Sequence, residues 1–156
     1  MRRISLFLFM VTLVVSAQTQ GTPDFSGSWK MNVSKSRLPK HSQIQSETLV
    51  VKEDGQSIEF HSDIDGRQSI EVWTIDKKEK VIREVQGGGN IVGKAYWKGT
   101  TLVTESRAVL KMPNSPFNDS ELLHVKNSWT MSSDGAVLTE KLESDDSKSM
   151  IVYDKQ

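Results

Sequence analysis

The chain has 156 residues, with 20 Lys and Arg against 20 Asp and Glu, and it contains no cysteine. That length suits one domain with its own core and is short for two. The charge balance argues against a nucleic-acid binder, which carries a clear basic excess. Without cysteine there is neither a disulfide nor a lipid-anchored cysteine.

Residues 1–17 carry the three parts of a secretory signal: Arg2 and Arg3, an apolar run from Ile4 to Val15 broken by Ser5 and Thr12, and Val15-Ser16-Ala17, which suits cleavage after Ala17. At about a dozen residues the apolar run falls short of the ~20 that span a bilayer as a helix. The expectation is therefore a cleaved signal, no transmembrane segment in the mature protein, and a location in the periplasm or outside the cell. Residues 18–25 read as a flexible polar lead, and 26–156 as the domain. Removal of 1–17 leaves 18 basic and 20 acidic side chains, a formal charge of −2.

The domain opens with Asp24-Phe25-Ser26-Gly27-Ser28-Trp29-Lys30-Met31-Asn32. This reads as the first strand of a small barrel, with Trp29 plugging one end and Gly27 letting another backbone approach closely. From there the punctuation is regular: Asp54-Gly55, Asp65-Gly66, Gly87-Gly88-Gly89-Asn90, Lys98-Gly99 and Asp134-Gly135. Asp-Gly between alternating runs is a strong hairpin signal. Ten strands are predicted, at 26–32, 46–53, 57–63, 68–75, 80–86, 91–97, 101–110, 121–131, 136–143 and 148–154, and no helix. Period-two alternation sets Ile58, Phe60 and Ile64 against Glu59, His61 and Asp63. It sets Ile70, Val72 and Thr74 against Glu71, Trp73 and Ile75, and Leu123, Val125, Trp129 and Met131 against His124, Lys126, Ser128 and Thr130.

One wet face and one buried face fit an antiparallel sheet. A flat ten-stranded meander would leave two open edges, which closure into an up-and-down barrel removes. A two-sheet sandwich needs long crossovers, and only 33–45 and 112–119 are long connections. The fold expected is all-β, an antiparallel up-and-down barrel, and a monomer.

Phe25, Gly27 and Trp29, in the pattern F-x-G-x-W, resemble the first-strand signature of lipocalins and fatty-acid-binding proteins. The wider pattern is similar to small exported bacterial lipocalin-like proteins of the calycin type. It joins D-F-S-G-S-W-K-M-N at 24–32, K-S at 35–36, W-K-G-T-T-L-V at 97–103 and S-W-T-M-S-S-D-G-A-V-L-T at 128–139. The resemblance implies the fold and brings no reaction with it. Many lipocalins pack a late Arg over the first-strand Trp; here no Arg follows Arg107, leaving a Lys such as Lys141, or nothing, for that place. Fatty-acid-binding proteins anchor a carboxylate with R-x-Y on the last strand. The matching stretch is Met150-Ile151-Val152-Tyr153, without Arg, so a fatty acid held in that way has no support.

The barrel interior is the first candidate site. Ile58, Phe60, Ile70, Val72, Leu123, Val125 and Leu138, with Leu102 and Val152, either line a ligand pocket or pack as plain core. Thr74, Thr104, Ser106 and Asn127 on the same face suit a pocket, which mixes apolar walls with a few polar groups. Trp73, Tyr96 and Trp97 read as half-buried strand residues before they read as a stacking platform. His41, His61 and His124 are scattered without metal-ligand spacing. Gly87-Gly88-Gly89-Asn90 precedes a strand, not the helix that a phosphate cradle needs. There is no nucleophile elbow, and the acidic run Glu140, Glu143, Asp145 and Asp146 reads as a solvated strand end and turn rather than paired catalytic carboxylates or a calcium loop. No metal and no cofactor are expected; an enzyme is the third hypothesis, with no residues to assign to a reaction. The function expected is binding of a small, largely apolar molecule inside the barrel. The alternative is an envelope interaction module with a filled barrel that uses its long loops.

Overall fold

The computed structural model describes residues 21–39, 42–84, 89–110 and 120–156. The signal at 1–17, residues 18–20 of the lead, His41, Gly87 and Gly88, and Pro113 and Pro116 lie outside the described residues. Ten strands follow one another: β1 (Gly27–Met31), β2 (Glu47–Glu53), β3 (Ser57–Ile64), β4 (Arg67–Thr74), β5 (Lys80–Glu84), β6 (Gly89–Lys98), β7 (Thr101–Leu110), β8 (Ser120–Met131), β9 (Val137–Ser144) and β10 (Lys148–Lys155). Each of the ten expected strands is present, displaced by at most a few residues at its ends.

All neighbours pair antiparallel in the order β4-β3-β2-β1-β10-β9-β8-β7-β6-β5. The first and last strands pair directly, Trp29 opposite Lys155 and Met31 opposite Tyr153. Turn chemistry fixes much of the rest. At Asp65-Gly66 both residues have positive φ, 49° and 81°, the geometry that lets a two-residue loop match the twist of its flanking strands. That loop sets Ile64 opposite Arg67, Phe60 opposite Glu71 and Ile58 opposite Trp73. Asp54 closes the preceding hairpin by accepting from the backbone N–H of Gln56 and Ser57.

Closure is incomplete where the sequence implied a fully sealed barrel. β4 and β5 are the two ends of the strand order. Between them the chain after β4 passes directly to β6, through an isolated parallel bridge from Ile75 to Ala95 and a bond from the Lys77 N–H to the Ala95 carbonyl at 3.1 Å. Trp73 reaches across this seam onto Gly93, where a Cβ would sit 2.7 Å from the indole and 2.6 Å from the Glu105 carbonyl oxygen. Only glycine admits that approach.

One end of the barrel is densely closed. Trp29 is 1% exposed, and its indole N–H donates to the Phe25 carbonyl at 3.0 Å. Phe25 is itself fully buried, with its ring 5.3 Å from that of Trp97, so the lead is tied down at its last residue. Gly27 has φ 140°, a conformation that favours glycine. Its close neighbour is the Lys155 side chain, 3.3 Å from where a Cβ would stand, rather than another backbone. The same Lys155 holds its ammonium 5.3 Å from the Trp29 ring centroid, within cation–π range. It takes the place for which Lys141 was considered; register sets Lys141 opposite Met150 on the outer face.

Candidate functional site

Residues directly opposite each other on paired strands share a face, so register assigns the lumen. Contacts across it agree. Phe60 on β3 stacks on Trp129 on β8 at 4.5 Å between centroids and 18° between planes, although four strands lie between them along the sheet. Trp129 lies 6.4 Å from the ring of Tyr153 on β10. These three rings form an aromatic floor inside the barrel, above the Trp29 end.

Of the residues expected to line a pocket, Ile58, Phe60, Thr104 and Leu138 are buried and face inward, and Val125 and Asn127 are half-buried on the same face. Ile70 and Val72 do not belong there. They are 57% and 47% exposed, because the Asp65-Gly66 turn puts Glu71 and Trp73 opposite Phe60 and Ile58 and so turns the alternate residues of β4 outward. Thr74 goes outward with them. Leu123, 43% exposed, pairs with Ala108 at the last position before a register shift between Ala108 and Val109, at the rim. Trp73 is buried and Trp97 packs against the core, whereas Tyr96 faces out and donates its hydroxyl to Glu105 at 2.8 Å. His61 pairs with Glu59 on the outer face at 2.9 Å.

The lumen also holds three carboxylates. Glu140 is not part of a solvated turn: it is 7% exposed, opposite Trp129 and Ile151. Glu47, equally buried, enters from the start of β2, and Glu71 from β4. The Tyr153 hydroxyl oxygen lies 3.0 Å from Glu47 Oε2 and 3.2 Å from Glu140 Oε2, and the Trp73 indole N–H donates to Glu71 Oε2 at 3.3 Å. Burial, reinforced by the charges of Glu47 and Glu71, pushes the Glu140 carboxyl up to about 8. Burial also raises Glu47, against the stabilising bond from Tyr153. The Tyr153 phenol is raised as well, by burial and the two carboxylates. A phenol has one hydrogen for two carboxylates. At neutral pH the consistent arrangement is a protonated Glu140 donating to the phenol oxygen while the phenol donates to Glu47.

Two buried polar atoms beside this network have no partner, Trp129 Nε1 and Asn127 Oδ1. Toward the mouth, where β3 ends and β4 begins, the inward-facing Ser62, Ser69, Glu71, Val125, Leu142 and Ser144 are only half-buried. The interior thus changes from packed at the Trp29 end to reachable by solvent above the aromatic floor. Outside the lumen, a cleft of about 240 Å³ opens at the seam beside Trp73, Ile82 and Gly93. A groove of about 590 Å³ runs along the outer face of β2 to β4 past Val50, His61 and Ile70. Among the described residues no three His, Asp or Glu side chains are grouped to hold a metal ion.

Sequence reasoning missed Glu47, Glu71 and Tyr153 as site residues. The two-residue Asp65-Gly66 loop carried the signal for Glu71, since counting outward from it pairs Glu71 with Phe60.

No protein-family model matches the chain, and no curated protein matches it. Among solved structures it is similar to apo lipid binding protein 8 of Caenorhabditis elegans, with 13% identity, TM-score 0.61, and coverage of 92% of this chain and 99% of that one. It is also similar to the REP1-NXSQ fatty acid transporter, with 14% identity, TM-score 0.58, and 85% and 96% coverage. Fatty-acid-binding protein 1 of Echinococcus granulosus matches at 11% identity and TM-score 0.57, over 84% and 96%. The fold is therefore an antiparallel β-barrel of the kind these solved structures have.

Proposed function

We propose that the protein binds a small, largely apolar molecule in the lumen of its barrel, without catalysing a reaction on it, and that it does so after export. The observation that carries this reading is the change of character along the lumen. Above the Phe60, Trp129 and Tyr153 floor the inward-facing wall is only half-buried, although the other end of the same barrel is packed shut. Solved proteins of this fold are named for fatty-acid transport and lipid binding, which supports an apolar guest. Removing such a guest from water contributes ~25 cal/mol for each Å² of apolar surface covered, offset by the loss of its free motion. Export rests on Arg2, Arg3, the apolar run to Val15 and the Val15-Ser16-Ala17 end, with the periplasm or the exterior as destination.

One observation favours the alternative of an envelope interaction module. Val50, Ile70 and Val72 expose apolar side chains together on the outer face of β2 to β4, and such clusters mark contact surfaces. Native mass spectrometry of the mature protein purified from its own host separates the two. A retained small molecule, released on denaturation, is the outcome expected of a carrier. Well-folded protein that carries nothing, and whose melting temperature no lipid or metabolite shifts, would leave the interaction module.

A further inference from the structure

We propose that the lumen selects an amphiphile whose head is a protonated amine with a neighbouring hydroxyl or carbonyl oxygen, and that it discriminates against a carboxylate head. This deepens the binding reading above and rests on it. Glu47, Glu71 and Glu140 face the lumen from three different strands, two of them sharing the Tyr153 hydroxyl. Among the described residues the cations that register sets on the inward face of β4 and β5, Arg67 opposite Ile64, Lys80 opposite Gly93 and Arg83 opposite Ile91, are all exposed. Arg67 is exposed at the mouth end of β4, and Lys155 lies over Trp29 at the opposite, closed end. A carboxylate lowered onto the aromatic floor would meet like charge in a poorly solvated site, whereas an ammonium would meet its counter-ions.

The acids alone would not define a ligand. The second observation is the pair of atoms left without partners. Trp129 is 5% exposed, and its indole N–H, inside the lumen beside Glu140, donates to nothing; Asn127 Oδ1, one inward step along β8, accepts from nothing. An unmet donor and an unmet acceptor next to paired carboxylates match a head that offers both an oxygen and N–H groups. The ammonium would lie between Glu47 and Glu140, with Asn127 Oδ1 taking a further hydrogen and the indole N–H donating to the neighbouring oxygen.

Binding would also expel a proton. Facing Glu140 are Glu47 from β2, Glu71 from β4, Trp129 from β8 and Tyr153 from β10, none of them cationic. An arriving ammonium favours the ionised form of Glu140, and amine affinity rises with pH between about 6 and 8 as that proton becomes easier to release.

Calorimetry with three twelve-carbon probes tests this: 1-amino-2-dodecanol, dodecanol and dodecanoate, on the full mature chain at pH 7.5 and below their aggregation limits. The amino alcohol is expected to bind at least about tenfold tighter than dodecanoate, with dodecanol between them. Glu47→Gln combined with Glu140→Gln is expected to shrink that gap to less than about threefold. If the double variant does not fold by circular dichroism, Glu71→Gln replaces it, with a partial narrowing expected. Dodecanoate equal to or tighter than the amino alcohol, or a gap untouched by the substitutions, overturns the head-group inference alone. Failure of all three probes to bind overturns the binding reading and this inference together.

Discussion

At the closed end of the barrel, Phe25, Trp29, Leu49, Ile58, Leu102 and Leu138 bury almost their whole surface and the few polar atoms present are bonded. A short distance along the same strands, Glu47 and Glu140 are buried just as deeply, beside Trp129 Nε1 and Asn127 Oδ1 without partners. The first region follows the ordinary rule that apolar groups go inside and polar groups inside are satisfied. The second violates it. Carboxylates held in a low-dielectric interior without a cation oppose folding, and replacing such groups by apolar ones is often neutral or stabilising. Places where a chain keeps a destabilising arrangement are where function is to be sought.

The comparison can be broken most forcefully through pH. The Glu140 carboxyl is raised from 4.5 to about 8. A folded-state value above the unfolded one means its contribution to stability is complete below pH ~4.5 and is lost as pH climbs through ~8. A shift of that size corresponds to at most roughly 5 kcal/mol. Denaturant midpoints of the wild type should fall between about pH 5 and 9, and those of Glu140→Gln should fall less steeply, since Glu47 is also raised by burial, and exceed the wild type at the upper limit. Equal slopes for the two proteins would show that Glu140 ionises freely and that the middle of the lumen is no exception.

The closed end gives an effect of similar or smaller size with no pH dependence. Trp29→Ala should destabilise by about 3 to 5 kcal/mol, read as a shift in urea midpoint that is the same at pH 6 and pH 8. A loss below about 1 kcal/mol would mean that Trp29 is not the plug the packing makes it. The smallest effect tests the facing of β4. Ile70→Ser and Val72→Ser, on the outer face, should each change stability by less than about 0.5 kcal/mol. Losses of core size at either position would reverse the assignment of Glu71 and Trp73 to the lumen.

The ten strands were legible because alternation and Asp-Gly punctuation act locally, and each survives whatever the rest of the chain does. Trp29 was legible for the same reason. The facing of β4 was misread because its apolar residues occur at both parities, Ile70 and Val72 against Trp73 and Ile75, so composition alone does not choose. The hairpin register chooses, and burial of one large indole outweighs exposure of two branched side chains on an edge strand. Glu140 was hidden by its neighbours: beside Glu143, Asp145 and Asp146 it looks like one more turn acid, and only pairing with Ile151 and Trp129 turns it inward. The seam was not legible, since whether β4 and β5 pair depends on how far the sheet curls rather than on either strand's own residues.

The pairing of β1 with β10 imposes an order in time. Asn32 donates its side-chain amide to Asp154 across 122 positions, and the roof over Trp29 comes from Lys155. The opening strand therefore has one neighbour, β2, until β10 has been made. Contacts so remote in sequence slow folding, and they leave β1 without its second partner while β2 to β9 are being made. Over that interval the free edge of β1 is open to pairing with another strand.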